Sequence, residues 1–412
     1  MENNYFTRPD RRPPKSPDEG EIDEILGKYG EEFPYVQTAD ICGARIQLKT
    51  SSKHVSDFWR LNWFPPDGGR SVDPDGIVYV VTGVEGYEPH QFYDLKSKRM
   101  LIVNSEYYGA AKSAGALGLA GKILEERDVY PIHGACVGIE KERGQSIEGC
   151  MIIAPTGTGK TAQAHELLYS VPNSKVHSDD YVFVFFDPEP VAKASEKQLY
   201  MRTDIAKSHA TFIGIFDELP LENVVASKGD CRRIQERSVN SCYSATLPGK
   251  TRCEFDEGRK LCYWAYGNSR VMFPRSMFPT MTRRMNGRLQ EVPKGETSVI
   301  NEATIKYIVL LTRDKESVPA RLLNRKEAVE ILTEGRFTVR PGAGPPEKWG
   351  KIGYEPFYNP YPPEMNLDRQ EHFFRRLYDS GVLFYLLNTG HYKNRKISAH
   401  QTHMYVRHII GV

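Results

Sequence analysis

The segment Ala154-Pro-Thr-Gly-Thr-Gly-Lys160-Thr161 lies between the apolar run EGCMIIAP and the run TAQAHELLYS, which is typical of a helix. A glycine-rich turn between a strand and a helix directs backbone N–H groups at a phosphate, and the helix N-terminus adds its positive dipole end. In such a turn Lys160 reaches the β- and γ-phosphates, and the Thr161 hydroxyl ligates Mg²⁺. The sequence therefore predicts a nucleotide-binding loop made of Thr156, Gly157, Thr158, Gly159, Lys160 and Thr161. Ala154 stands where the motif normally begins with glycine, so a plain glycine-rich turn is the alternative.

Two adjacent carboxylates, Asp179 and Asp180, follow the loop and precede the apolar run YVFV. Beside a bound triphosphate such a pair can hold a cation and accept a proton. A turn that leads into a strand is the alternative, and the nearby phosphate loop favours the catalytic interpretation. His133 precedes the loop strand by one hairpin, which predicts a place beside the same phosphates, although a lone histidine is most often structural.

The composition excludes several classes of protein. The chain has 412 residues, with 40% hydrophobic and 26% charged residues and a net charge of +2, which is ordinary for a globular protein of two or three domains. The near-neutral charge indicates neither a nucleic-acid nor a membrane partner, and no apolar run approaches the ~18 residues of a membrane span. The N-terminus has no apolar signal segment, and the seven cysteines show no CxxC pair. We therefore expect a cytoplasmic protein with reduced core thiols.

Along the chain, short strands and helices alternate in a way that predicts an α/β protein. Pro-rich, charged residues 1–20 are predicted to be a flexible tail, and residues 36–103 are predicted to be short strands. Ala- and Leu-rich residues 107–127 have helical periodicity. Residues 335–363 are rich in Gly, Pro and aromatic residues and are predicted to be a loop or lid. The basic C-terminal residues around 393–408 leave a nucleic-acid patch as an alternative use of that end.

The His-Gly pair, the TGTGKT loop and the Asp-Asp pair together resemble the fold shared by ATP-dependent phosphoenolpyruvate carboxykinase and HPr kinase/phosphorylase. The C-terminal half resembles the carboxykinase family more closely, because several of its motifs occur in the family's order. These similar segments are 105–113 (SEYYGAAKS), 221–225 (LENVV), 268–274 (NSRVMFP), 386–390 (LLNTG) and 395–402 (RKISAHQT). A weaker similarity, to a GRSP turn, lies at residues 69–71 (GRS).

The resemblance implies a carboxykinase-like P-loop domain over residues 99–412 that binds nucleotide and carries out catalysis. A smaller mixed α/β domain is implied over residues 21–98, after the tail. ATP and Mg²⁺ are the implied cofactors, together with a second cation, typically Mn²⁺. The metal ligands that the resemblance implies are Thr161, His133 and Asp180. Lys396, Ile397 and Thr402 are implied contacts of the nucleotide base and ribose.

The resemblance also implies residues that act on the phosphoryl acceptor. Arg270 would stabilise the transferring phosphoryl group, while Arg70 and Tyr107 would hold a substrate carboxylate. Lys112 and Ser113 occupy the family's tandem-lysine positions, and Arg202 stands in place of a later lysine. Because the second lysine is replaced by Ser113 and the lid motif at 315–319 is altered, nucleotide handling is predicted to be retained and acceptor recognition to differ.

The expected function is ATP- and metal-dependent phosphoryl transfer to an oxygen of a small carboxylated metabolite. The parental reaction converts oxaloacetate and ATP to phosphoenolpyruvate, CO₂ and ADP. One alternative is a kinase on the same fold that phosphorylates a hydroxyl, with Asp179 or Asp180 as base. A second alternative is a nucleotide-sensing or protein-binding module without catalysis. The sequence leaves the acceptor and the oligomeric state open.

Overall fold

The structure is a computed structural model. It describes residues 5–6, 15–18, 20–30, 32–67, 73–142, 144–155, 158–171, 174–203, 205, 215–216, 218–224, 262, 269–278, 282–285, 288–291, 299–313, 317–339, 351–355, 357–362 and 366–412. Among these residues, no helix is long and apolar enough to cross a membrane.

Helices and short strands are interspersed along the part of the chain that the structure describes. The helices are α1 (Glu21–Tyr29), α2 (Lys53–Asn62), α3 (Tyr108–Ala110), a π-helix (Ala111–Leu117), α4 (Gly118–Glu125), α5 (Lys160–Ser170), a 3₁₀ turn (Arg275–Met277), α6 (Arg325–Glu334), α7 (Leu367–Asp379) and α8 (Ala399–Ile410). The strands are β1 (Tyr5–Phe6), β2 (Lys15–Pro17), β3 (Tyr35–Ile41), β4 (Ala44–Thr50), β5 (Gly76–Val81), β6 (His90–Asp94), β7 (Arg99–Val103), β8 (Tyr130–His133), β9 (Ala135–Ile139), β10 (Glu148–Ile153), β11 (Ser174–Ser178), β12 (Tyr181–Phe186), β13 (Pro190–Lys193), β14 (Gln198–Arg202), β15 (Leu221–Glu222), β16 (Arg270–Pro274), β17 (Thr282–Met285), β18 (Arg288–Glu291), β19 (Glu302–Thr312), β20 (Ala320–Leu322), β21 (Arg336–Thr338), β22 (Ile352–Tyr354), β23 (Leu383–Asn388), β24 (His391–Tyr392) and β25 (Arg395–Lys396).

The chain divides into two compact units. The first unit comprises Met1–Ala120 and Glu196–Pro274, and the second comprises Gly121–Ser195 and Arg275–Val412. Both units combine helices with β-sheets, which confirms a mixed α/β protein. The predicted boundary between residues 98 and 99 falls inside the first unit, because the chain leaves that unit at residue 120 and returns to it at 196.

The first unit contains a mixed sheet with the strand order β2-β6-β7-β5-β4-β3 and a second sheet with the order β1-β15-β16-β14. Strand β4 alternates buried and half-buried side chains along ARIQLKT, as a strand with one covered face should.

Two predictions made from the sequence are wrong in the first unit. Part of the predicted tail is strand β2, paired in parallel with β6, and helix α2 interrupts the predicted run of strands, capped by the Ser52 hydroxyl.

The predicted helix at 107–127 is present and changes its winding in the middle. Residues Ala111–Leu117 form a π-helix in which every side chain is buried. Gly115 lies against the sheet, since a Cβ atom there would come within 2.9 Å of a Val78 methyl group. π-Helical turns are rare and often occur at functional sites, and this one contains two of the predicted substrate residues, Lys112 and Ser113.

The second unit is built on a sheet with the strand order β11-β9-β10-β19-β13-β12-β8, extended by β23 on β19 and β20 on β23. Strands β10, β19 and β23 are parallel neighbours, with Ile153 beside Leu310 and Thr312 beside Asn388. Their carboxyl ends therefore meet at one edge of the sheet, which is where ligands bind in open α/β sheets. The predicted phosphate loop and the chain after Asn388 both leave this edge, as does the chain after Thr312.

Helices cover both faces of this sheet. Cys150 and Ile152 of β10 point to the face covered by α5 and α8, where Leu167 and Val406 are fully buried. Met151 and Ile153 point to the opposite face, packed by α6 and α7. The alternation along β10 fixes which side chains face each helix layer. Burial raises the pKa of the Cys150 thiol to about 12, so it stays protonated, as expected for a core thiol.

Candidate functional site

The predicted phosphate loop is described from Thr158 onward, whereas Thr156 and Gly157 lie outside the described residues. Strand β10 ends at Ile153, and helix α5 begins at Lys160. Gly159, the residue before the helix, has φ 108°, a left-handed conformation that favours glycine. The Thr158 hydroxyl donates to the Pro155 carbonyl at 2.6 Å. The predicted strand, tight turn and helix start are thus present, and Thr161 follows on the first turn of α5.

Lys160, Asp180 and His133 come together at this loop. Lys160 Nζ lies 3.3 Å from Asp180 Oδ1, and His133 Nε2 lies 3.1 Å from the same oxygen. Asp180 occupies the turn between β11 and β12, while His133 ends β8, which pairs with β12 through Tyr181. Strand pairing therefore positions the histidine beside the carboxylate. Asp179 is the neighbouring turn residue and its side chain is buried.

Glu355 joins this group and was missed by the sequence reasoning. Its Oε1 lies 3.5 Å from Nδ1 of His133, so carboxylates approach both ring nitrogens of the same imidazole. Because a carboxylate only accepts hydrogen bonds, the 3.1 Å contact with Asp180 Oδ1 is a hydrogen bond donated by Nε2. A cation that took the place of this proton would leave the ring proton on Nδ1, where the Glu355 carboxylate favours it. Glu355 lies in the aperiodic segment 335–363. The only signal available in the sequence was an acidic residue within an otherwise Gly-, Pro- and aromatic-rich stretch.

The donor set at this point suits a cation that is held largely by its substrate. Within the described residues, no cluster of three or more His, Cys, Asp and Glu side chains forms a protein-only metal site. His133 Nε2 and Asp180 Oδ1 offer one nitrogen and one oxygen on the same side, whereas Glu355 approaches the opposite edge of the imidazole ring. Mg²⁺ sites of this kind use one or two carboxylates together with substrate phosphates and water, and imidazole nitrogen also suits Mn²⁺.

The chain after β23 ties a second region to the loop. The Thr389 hydroxyl donates to the Thr158 carbonyl at 3.0 Å, and Ile397 N donates to the Gly390 carbonyl at 2.8 Å. A cavity of about 480 Å³ lies next to this connection, and its lining includes Lys396 and Ile397. The predicted contact Thr402 is different, because it is buried and its hydroxyl donates to the Ser398 carbonyl of its own helix.

The predicted acceptor residues lie in the first unit, apart from Arg70, which is outside the described residues. Lys112 is buried, with Nζ 3.3 Å from Glu196 Oε1. The same carboxylate oxygen accepts from Asn62 Nδ2 at 2.8 Å. Glu196 is therefore a buried partner of Lys112. The Glu196 carboxylate therefore already compensates the positive charge of Lys112 within the fold, which leaves less of that charge for an acceptor carboxylate.

The Tyr200 ring lies close to two cations of this cluster, Lys112 and Arg270. The Lys112 ammonium and the Arg270 guanidinium each lie 5.6 Å from the centroid of its ring, a cation–π distance. Arg202 is the direct cross-strand neighbour of Arg270 in the β14–β16 pair. The structure therefore groups Lys112, Arg202 and Arg270, and places buried Tyr107 and Ser113 on or beside the helix that carries Lys112.

A second buried carboxylate, Glu222, anchors Tyr200. The Tyr200 hydroxyl donates to Glu222, whose other oxygen accepts from Tyr108 N at 2.6 Å and lies 2.8 Å from His54 Nε2. Burial and the nearby Glu222 charge raise the pKa of Tyr200 well above its ordinary value. Sequence reasoning recognised the LENVV segment but assigned Glu222 no role, and nothing in the sequence singled out His54 on helix α2.

Comparison with known proteins adds no family to these observations. No family model matches the chain, and no curated protein matches it either.

Proposed function

We propose that this chain is an ATP- and divalent-metal-dependent phosphotransferase of the phosphoenolpyruvate carboxykinase-like class, acting on an oxygen of a small carboxylated metabolite. The observation that carries the proposal is the contact of Lys160 and His133 with one oxygen of Asp180 at the start of helix α5. A cation, a carboxylate and an imidazole beside a helix N-terminus are the groups that phosphoryl transfer uses.

Each of these side chains has a defined part in the proposed reaction. Lys160 neutralises negative charge on the transferring phosphoryl group. The Thr161 hydroxyl, Asp180 and His133 Nε2 would hold Mg²⁺ or Mn²⁺, which when bound neutralises phosphate charge and orients the triphosphate. Asp179, buried next to Asp180, is the candidate to take a proton from an acceptor hydroxyl. Catalysis would come from positioning and electrostatic stabilisation, as is usual for phosphoryl transfer.

The cavity at Lys396 and Ile397 supports the nucleotide part of the proposal. It lies along the segment that Thr389 hydrogen-bonds to the phosphate loop. A triphosphate held by the loop would direct its ribose and base along this segment. The aromatic rings of Tyr392 and Tyr405 in the lining offer surfaces on which a base can stack.

A hydroxyl kinase without decarboxylation is a second candidate, favoured by the state of Lys112. Its ammonium is paired with Glu196, and Ser113 replaces the lysine that the family carries next to it. A clamp for a second carboxylate is therefore weaker here than Lys112, Arg202 and Arg270 alone would provide.

The proposal includes a cytoplasmic location, because a buried, protonated thiol such as that of Cys150 is consistent with a reducing compartment.

Phosphorus NMR tests the proposal and separates its two forms. The protein is incubated with ATP, Mg²⁺ and Mn²⁺ and a panel of carboxylated and hydroxylated metabolites. An enol-phosphate signal supports the carboxykinase form, and an alkyl-phosphate signal supports the kinase form. ATP binding without any phosphorylated product would contradict both forms and favour a nucleotide-sensing module.

A further inference from the structure

The cavity beside the hairpin of β24 and β25 carries more positive charge than a neutral base requires. Its volume of about 480 Å³ is that of a small-molecule pocket. Three cationic side chains belong to its lining, Lys393, Arg395 and Lys396. Among the described residues that line it, none is acidic. A purine base is neutral, so a bound base would balance none of these three positive charges.

The hairpin of β24 and β25 carries all three of these cations. Lys393 and Asn394 have φ of 47° and 63°, which forms the tight two-residue turn typical of a hairpin. The register then places Arg395 opposite Tyr392, and the Lys393 ammonium lies 5.3 Å from the Tyr392 ring centroid. In the part of the chain that the structure describes, none of the three cations forms an ion pair. Like charges held together repel one another and gain from an anion placed between them.

The position of the cavity indicates which part of a ligand carries that anion. Thr389 connects the cavity segment to the phosphate loop, so a nucleotide whose 5′-phosphates occupy the loop brings its ribose and base to the cavity. The base is neutral. The groups at this end that carry an additional charge in natural nucleotides are phosphates on the 2′ or 3′ hydroxyl, and guanidinium groups bind phosphate in a bidentate manner.

We infer that the cavity recognises a nucleotide with a phosphate monoester on its ribose, and this inference rests on the proposed nucleotide site. Lys393 and Arg395 contact the ribose phosphate, and Lys396 stays with the base. The ligand class is therefore an adenine nucleotide with an anionic group at each end, which also distinguishes this chain from an enzyme that uses ATP alone.

Calorimetry tests the inference with three probes: ADP, ADP 2′-phosphate and ADP 3′-phosphate. We expect one phosphorylated probe to bind the native protein at least about tenfold more tightly than ADP, a difference of about 1.4 kcal/mol. The gain should shrink at high salt, because the side chains involved are exposed. In the double variant Lys393→Gln/Arg395→Gln, the affinity for that phosphorylated probe divided by the affinity for ADP should fall close to one. The control Lys326→Gln, an exposed lysine on α6 outside the cavity, should keep the native ratio.

The remaining outcomes separate the two levels of the proposal. If ADP binds and the ribose phosphate brings no gain, or the gain survives in the double variant, the inference is overturned while the nucleotide site stands. If none of the three probes binds, the proposed function fails as well. If a single-stranded oligonucleotide displaces ADP and binds more tightly than either phosphorylated probe, the cations serve nucleic acid and the inference is overturned.

Discussion

The ammonium of Lys160 lies 3.3 Å from Oδ1 of Asp180, which joins the first residue of helix α5 to the turn between β11 and β12. A triphosphate that binds Lys160 therefore competes with the Asp180 carboxylate for the positive charge of the Lys160 ammonium. A cation between Asp180 and the phosphates would resolve the repulsion between these two anionic groups. Nucleotide and metal binding are thus expected to be interdependent at this site.

Asp180→Asn and His133→Ala are expected to weaken activation by Mn²⁺ much more than they weaken ATP binding. Asp180→Asn removes the carboxylate charge and His133→Ala removes the imidazole nitrogen, whereas both variants keep Lys160 and the loop sequence. Activity is titrated with Mn²⁺, and ATP affinity is measured separately by calorimetry. Asp187→Asn, at an exposed turn after β12, is the matched control. An unchanged Mn²⁺ dependence in His133→Ala would assign that histidine a structural role.

Glu355→Gln is expected to weaken metal activation by about 10–100-fold, the usual cost of losing a carboxylate that orients a metal-binding histidine. The amide cannot favour one imidazole tautomer as the carboxylate does. The effect should vanish in a His133→Ala background, where no imidazole remains to be oriented. A loss of the same size in both backgrounds would show that Glu355 acts independently of His133.

Removing one partner of the buried Lys112–Glu196 pair is expected to destabilise the fold. Glu196→Gln or Lys112→Met should each lower the free energy of unfolding by about 3–5 kcal/mol, because a buried charge is left without its counter-charge. The double variant should lose less than the sum of the two single losses. Urea unfolding of all four proteins measures this coupling. Strictly additive losses would mean that the two side chains do not interact.

The buried His177 is expected to lower the free energy of unfolding of the protein in mild acid. Burial, together with the nearby charge of Arg275, lowers the pKa of His177 to about 4. The Arg275 guanidinium donates to the His177 carbonyl at 2.8 Å. In the unfolded chain the pKa is about 6.5, so below that pH the unfolded state binds more protons and stability falls. At pH 5 the loss from this residue is about 2 kcal/mol relative to neutral pH.

Chemical unfolding of the native protein and of His177→Gln at pH 7 and pH 5 checks this sign and size. Glutamine does not titrate, so the variant should lose less stability between the two pH values than the native protein does. Other titrating groups, including the buried His403, cancel in this comparison. Equal losses in the two proteins would contradict the assignment.

Local pattern was sufficient to predict the elements around the phosphate loop. An apolar strand, a glycine-rich turn and a helix are contiguous in sequence, so β10, Gly159 and α5 follow from short-range rules. The same is true of the helix predicted at residues 107–127, which contains Lys112. Helix α2 was missed because it lies between short strands in the sequence. Its apolar side chains form one buried face only when the helix packs against the folded unit.

The partners of the site residues could not be predicted, because they come from distant parts of the chain. Glu355 meets His133, and Glu196 meets Lys112, only through the folded sheets. Glutamate is rarely buried unless it is paired, so the sequence around Glu196 gives no sign that this side chain is buried. The structure provides that pairing. The π-helical winding of residues 111–117 likewise has no signal in the local sequence.

The measurement that tests the central claim most directly is acceptor-dependent ADP formation by the native protein and by Lys160→Ala at saturating ATP, Mg²⁺ and Mn²⁺. The acceptor is the metabolite that yields a phosphorylated product in the NMR panel, and circular dichroism confirms that the variant is folded. We expect kcat to fall by about 10²–10³-fold in Lys160→Ala, the effect of removing one stabilising charge from a preorganised site. Full turnover by a folded Lys160→Ala protein would contradict phosphoryl transfer at this loop.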